Sequence, residues 1–212
     1  VEIGNSESFN PGYSDFSITT WIKIDEGHAG SEIIAKRGDG PSGLGPQGQF
    51  YHINTHGTGN IYYSFAFDHY TGNPYATNCE CLTSIDDNEW HFVATVFDRD
   101  GYGTIYLDGD YCAQADISIQ AGDISVDPKL VLGTWQLPFQ GLMDETSFWM
   151  QTLSQSEIQT YMTTSPTGDE EGPVGYWNFN GGSGSTLIDH SGNGNHGTIH
   201  GATWDLDGGP IS

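Results

Sequence analysis

The chain has 212 residues and carries 28 Asp+Glu against 5 Lys+Arg, a formal charge of −23. So acidic a chain repels phosphate backbones and anionic lipid heads, which argues against nucleic acid or a membrane surface as partner. The length suits one large β domain with its own core, and aromatics at 13% of residues, spread along the chain, favour folding over disorder.

Strand patterns dominate in chain order. In residues 15–24, Phe16, Ile18, Ile22 and Ile24 face one way and Ser17, Thr19 and Lys23 the other, with Trp21 interrupting the polar face. That period of two predicts a half-buried antiparallel strand. Further strands are predicted over 32–36, 49–53 and 60–67, with Gly/Pro/Asn-rich loops over 38–48 and 68–80. Residues 91–98 and 103–109 read as a hairpin, and Asp108-Gly109 as a second tight turn. Strands over 129–134 and 142–150 follow. Ser154 and Glu157 form a capping box flanked by Leu153 and Ile158 as a hydrophobic staple, which predicts one short helix near 154–162. Segment 165–173 reads as a connection back into the same domain, and 174–179 and 197–204 as closing strands. Many strands, 30 glycines and one small helix predict an all-β, two-sheet antiparallel jelly-roll sandwich.

Three cysteines, Cys79, Cys81 and Cys112, allow at most one internal bridge. Cys-x-Cys is too tight for a zinc knuckle. A disulfide from Cys112 to Cys79 or Cys81 fits an oxidising compartment, with Cys81–Cys112 as the working pair. No run of about 18 apolar residues is present, so no helical membrane insertion is expected. No signal peptide is visible, and the chain starts at Val1 within a strand-like run, as an excised domain does.

The runs VEIGNSESFN, FSITTWIKI, IIAKRGD, EWHFVATVFD, GTIYLDG, LVLGT and GLMDETSFWMQTLSQSEI, in that order, resemble the strand motifs of the laminin G-like/concanavalin A-like lectin-glucanase superfamily. The block VGYWNFNGGSGSTLIDHSGNGNHGTIHGATW resembles the family's Trp/Gly-rich terminal segment. In many members that block comes first, whereas here it comes last. The resemblance implies two packed antiparallel sheets of about seven strands each. The late position of the block leaves two readings, a cut through a tandem array or, as the working expectation, a single sandwich over 1–212 closed by the C-terminal segment 174–204.

Asn180 to Gly197 is dense in the oxygen ligands that calcium prefers. The resemblance implies a structural calcium where this block meets the strand bearing Asp144-Glu145. The implied ligands are Asn180, Asp144 and the Gly197 carbonyl, with Asp189 and Asn195 as second choices. The alternative is that Asp189-His190-Ser191-Gly192 and Asn193-Gly194 are ordinary turns. His190, His196 and His200 could instead gather a transition metal or be solvated turn residues.

Sugars present apolar ring faces edged with hydroxyls, so a lectin site needs aromatic surfaces bordered by carboxylates and amides. Tyr51, His52, Asp68, Tyr70, Trp135 and Gln136 are the candidate set, within a wider group that includes His56 and Tyr62. Core packing or cross-strand pairing is the competing reading of these aromatics. The Glu-x-Asp-x-(x)-Glu run of retaining glycosidases with this fold is missing, and Asp144-Glu145 are adjacent and so expected on opposite strand faces. The expectation is a non-catalytic, calcium-binding carbohydrate-binding or adhesion module, secreted or at the cell surface, working with other domains of a larger protein. A polysaccharide lyase or glycoside hydrolase, or a ligand-free spacer, are the alternatives.

Overall fold

The computed structural model describes residues 1–28, 30–37, 49–66, 76–133, 138–167, 173–206 and 209–211. In chain order the strands begin with β1 (Glu2–Ile3), β2 (Phe16–Ile24), β3 (Glu32–Arg37), β4 (Phe50–Thr55) and β5 (Asn60–Ala66). Next come β6 (Thr77–Ser84), β7 (Trp90–Phe97), β8 (Tyr102–Leu107), β9 (Asp110–Asp116), β10 (Val131–Leu132) and β11 (Gly141–Trp149). Helix α1 (Gln155–Tyr161) precedes β12 (Pro173–Trp177), β13 (Thr186–Leu187) and β14 (Gly197–Thr198). Among the described residues these make two antiparallel sheets. The eight-stranded sheet runs β13-β14-β1-β10-β3-β4-β5-β6, and the six-stranded sheet β12-β11-β2-β7-β8-β9. The expected equal division into sevens is therefore corrected to eight and six.

Alternation builds the core. Phe16, Ile18, Ile22 and Ile24 of β2 join Tyr51, Ile53, Ile61, Tyr63, Phe65, Phe97 and Phe148 between the sheets. Trp21, which broke the polar face of β2, packs on the opposite side of its sheet against Phe92, Trp149, Leu153 and Ile158. There α1 supplies Ile158, and the Ser154–Glu157 capping box closes its first turn as the sequence predicts. The C-terminal segment reaches both sheets: β12 pairs with β11, and β14 with β1.

Three strands were not foreseen, among them the two-residue β13 inside the stretch read as a ligand or turn loop over 180–197. β6 begins inside the segment read as a loop over 68–80, and β9 carried no strand assignment. β6 and β9 are edge strands: the buried face of β6 is made by Cys79 and Cys81 rather than by branched apolar residues, and β9 offers only the partly buried Cys112, Ala113 and Ala115 to the core. Conversely, β10 and β14 are only two residues long where longer strands were expected.

The Trp90-His91 and Leu107-Asp108-Gly109 motifs meet as a fastener. Asp108 and Gly109 both take positive φ in the tight turn (51° and 80°). The Asp108 carboxylate accepts from the Phe92 amide (2.9 Å) and lies 2.9 Å from His91 Nδ1, while Asp87 lies 3.2 Å from His91 Nε2. The hydrogen bond to Asp108, reinforced by the two carboxylate charges, raises the His91 pKa. Two of the five cations serve a similar structural end. Arg99 donates to the carbonyls of Gly12, Gln120 and Gly122, and Lys36 to those of Val126 and Pro128, so both hold the segment 120–128 onto the sandwich.

Cys81 of β6 is bonded to Cys112 of β9, with Cα atoms 5.5 Å apart, and Cys79 stays free and buried. The bridge joins the edge of one sheet to the edge of the other. Its ends are 31 residues apart in sequence. The double variant Cys81→Ala/Cys112→Ala is expected to lose about 3–4 kcal/mol by denaturant unfolding, from restored chain entropy in the unfolded state. A loss under about 1 kcal/mol would show that the sheet edges hold together without it.

Candidate functional site

The face of the eight-stranded sheet turned away from the core carries the richest polar arrangement. In β4, Tyr51 and Ile53 point into the core, so His52 and Asn54 point out. The same rule sends Tyr62 and Ser64 of β5, and Asn78 and Glu80 of β6, to the outer face. His52, His56, Tyr62, Ser64, Asn78 and Glu80 line a cavity of about 540 Å³. Edge-on ring contacts run from Phe50 to His52, His52 to Tyr62, and His56 to Tyr62.

Glu32 of β3, the strand paired with β4, is buried, in an ion pair with Arg37 and 3.3 Å from His52 Nδ1. A carboxylate at Nδ1 assigns the proton to that nitrogen and leaves Nε2 as an acceptor. Burial, and then the Arg37 charge, push the His52 pKa down to about 3, so the ring is neutral. Its Nε2 is buried without a hydrogen-bond partner. Asn54 donates through Nδ2 to the Tyr62 hydroxyl (2.8 Å), and its buried Oδ1 also has no partner. His52, which lines the cavity, and Asn54, two residues along β4 and bonded to the lining Tyr62, thus each hold a desolvated acceptor, an arrangement costing about 1–3 kcal/mol. Nearby, Asn60 donates to Glu80 (2.9 Å).

Of the residues singled out for sugar contact, His52 lines this cavity, with His56 and Tyr62 of the wider group. Tyr51 does not. It is fully buried, its hydroxyl donates to the Phe9 carbonyl (2.9 Å), and desolvation raises its pKa well above the ordinary value. Adjacent strand residues face opposite ways, so Tyr51 and His52 were never able to share one surface. Asp68, Tyr70, Trp135 and Gln136 lie outside the described residues. Glu32, Asn54 and Glu80 were missed, although alternation against Ile53, Ile61 and Cys81 would have marked the last two.

The candidate cation ligands fall into two groups. Asp189 accepts from the amides of Tyr176 and Ser191 at Oδ1, and from Ser191 Oγ and the Asn195 amide at Oδ2. Four donors fill a carboxylate, so Asp189 organises its loop. Asn195 is buried alongside, donating to the Val174 carbonyl and accepting from Trp177 Nε1, with Oδ1 unpartnered. Gly197 sits in β14 opposite Ile3 and Leu187, where a Cβ would strike Val1 and Ile3. Its glycine is thus required by packing. His196 accepts from the Asp189 amide, His200 bonds Glu2, and His190 lies beside Tyr176, so the three histidines serve separate local roles. Among the described residues no three His, Cys, Asp or Glu side chains gather as a metal cluster.

Asp144 is different. A bulge between Asp144 and Ser147, with Glu145 at φ 47°, inserts an extra residue opposite β2. The expectation of opposite faces therefore fails: Glu145 accepts from Tyr176 (2.6 Å) and Ser165 (2.9 Å), and its charge adds to the upward push on Asp144. Asp144 is buried, accepts from the Glu145 amide (2.9 Å), and is crossed by Gly209 so closely that a Cβ at 209 could not fit. Desolvation first, then the Glu145 charge, raises its pKa to about 6 against the lowering effect of that amide. The antiparallel register Thr146↔Trp177 carries the chain leaving β12, towards Asn180, along the Asp144 end of β11.

Residues 1–159 match the family model for the concanavalin A-like lectin/glucanases superfamily. The chain belongs to that superfamily. No curated protein sequence matches it. Among solved structures, a candidate carbohydrate-binding protein from Bacteroides ovatus aligns with TM-score 0.63 at 21% identity, over 95% of this chain and 56% of its own. A heptameric SAP-like pentraxin from Limulus polyphemus aligns with TM-score 0.53 at 16% identity, over 72% of this chain and 71% of its own. The ligand-binding domain of botulinum neurotoxin serotype D, in complex with N-acetylneuraminic acid, aligns with TM-score 0.53 at 17% identity, over 70% of this chain and 36% of its own. At these identities the likeness shows a shared sandwich, and the chain spans about half the length of the Bacteroides protein.

Calcium, which the superfamily resemblance implies, suits only part of the proposed ligand set. A desolvated Asp144 carboxylate without a cationic side-chain partner fits a cation; the saturated Asp189 carboxylate does not. Because the folded pKa of Asp144 lies above its unfolded value of 3.8, the group favours the fold below that value, and this contribution is lost as pH rises through about 6. In calcium-free buffer Asp144→Asn is expected to be more stable than the parent at pH 8, by about 1–2 kcal/mol after solvent screening, and indistinguishable from it at pH 3.5. Thermal unfolding across that range checks it; a variant less stable at pH 8 would contradict it.

Proposed function

We propose that this chain is a non-catalytic carbohydrate-binding module of a larger secreted or cell-surface protein, binding sugar on the outer face of its eight-stranded sheet. The observation that carries the reading is the pair of buried, unpartnered acceptors, His52 Nε2 and Asn54 Oδ1, beside the rings of Tyr62 and His56. Sugar hydroxyls supply the missing donors and C–H faces cover the rings. Superfamily membership supports it, as does the carbohydrate-binding assignment of the Bacteroides relative. The Cys81–Cys112 bridge suits an oxidising, extracellular setting, and no described helix is long and apolar enough to cross a membrane.

The lyase reading needs a Tyr or His base with a pKa near the working pH. Of the candidate bases Tyr51, His52 and Tyr70, His52 is displaced far below that range, Tyr51 is sealed in the core with its pKa raised, and Tyr70 lies outside the described residues. Both shifts favour holding a ligand over moving a proton.

Calcium enters this proposal as a stabiliser held by Asp144 with Asn180, on the sheet opposite the sugar site. Two sites on different sheets predict separable effects. On a glycan array the chain binds a defined set of sugars, and His52→Ala weakens binding about tenfold or more, which is about 1.4 kcal/mol. Chelator lowers the melting temperature while glycan affinity changes less than threefold. Loss of sugar binding on chelation, or release of unsaturated or reducing-end products, contradicts the proposal.

A further inference from the structure

We infer that this site takes neutral, hydroxyl-rich glycans and excludes carboxylated and sulfated ones; the inference rests on the carbohydrate reading above. The polar atoms left without partners, His52 Nε2 and Asn54 Oδ1, are both acceptors. A sugar hydroxyl can donate to them, whereas a carboxylate or sulfate would set acceptor against acceptor. A carboxylate lines the same cavity, that of Glu80. Like charges juxtaposed at a contact oppose binding.

An acidic sugar needs a cation, and the chain has five. Lys36 and Arg99 are committed to backbone carbonyls, and Lys129 pairs with Glu2 (3.1 Å). Lys23 lies on β2 in the other sheet. Arg37, on β3 beside the site, is held in its ion pair with Glu32. The stretches outside the described residues contain no lysine or arginine, and the net charge of −23 adds a long-range repulsion. The related fold that holds N-acetylneuraminic acid marks the contrast, since the sandwich itself does not decide the charge of the ligand.

The test is calorimetry at pH 7.5 and physiological salt with matched oligosaccharides: neutral glycans, and their uronate, sialylated and sulfated counterparts. Expected are binding of at least one neutral glycan, at least tenfold weaker binding of its acidic counterpart, and a tenfold or greater loss for Asn54→Leu and His52→Ala. Thermal melts confirm folding, and if one variant does not fold the other carries the test. Acidic glycans bound as tightly as neutral ones overturn this inference and leave the carbohydrate reading standing. Neutral binding that survives both substitutions overturns this inference and also the placement of the sugar site at His52 and Asn54. No binding to any glycan on the panel overturns both.

Discussion

Everything in this molecule follows from the two-residue period of its strands. Tyr51, Ile53, Ile61, Tyr63 and Phe65 are committed to the space between the sheets, and that commitment turns His52, Asn54, Tyr62 and Ser64 outward. A slip of one residue would bury the polar row and expose the aromatic one, so the core that stabilises the sandwich also fixes the register of the site. Burial first, and then the Arg37 charge, keep the His52 ring neutral, while Glu32 accepts from its Nδ1. The result is a neutral ring whose free nitrogen accepts but does not titrate near neutral pH.

The acidity has a local explanation as well as a global one. Asp87, Asp98, Asp116, Asp123 and Asp189 each accept the amide two residues further on, the Asx turn that lets short loops close without other support. The scarce cations do the opposite work, fastening buried carbonyls and a buried carboxylate. A chain organised this way has little positive charge left to present to a ligand.

Much of the fold was legible in the sequence. The alternation in β2, the 90–107 hairpin, the Asp108-Gly109 turn and the Ser154–Glu157 capping box each rest on local rules with strong residue preferences. The edge strands β6 and β9 were not legible, because cysteines and small polar residues do their packing and a long-range disulfide holds them. The site was half legible. Residue types marked His52, His56 and Tyr62, but grouping Tyr51 with its neighbour ignored the pleat. Glu32 acts from another strand, which no local pattern reveals. The Asp144-Glu145 pair was misread because a bulge cannot be seen in the residues that form it.

The central claim is that His52 presents a neutral, unpartnered Nε2 to the ligand. Nitrogen-15 NMR of the histidine side chains tests it directly. The account predicts one histidine whose Nε2 stays unprotonated down to about pH 5, and whose Nε2 resonance moves on saturation with a bound neutral oligosaccharide. A His52 ring protonated at neutral pH, or an Nε2 resonance unchanged when the sugar is bound, would contradict it.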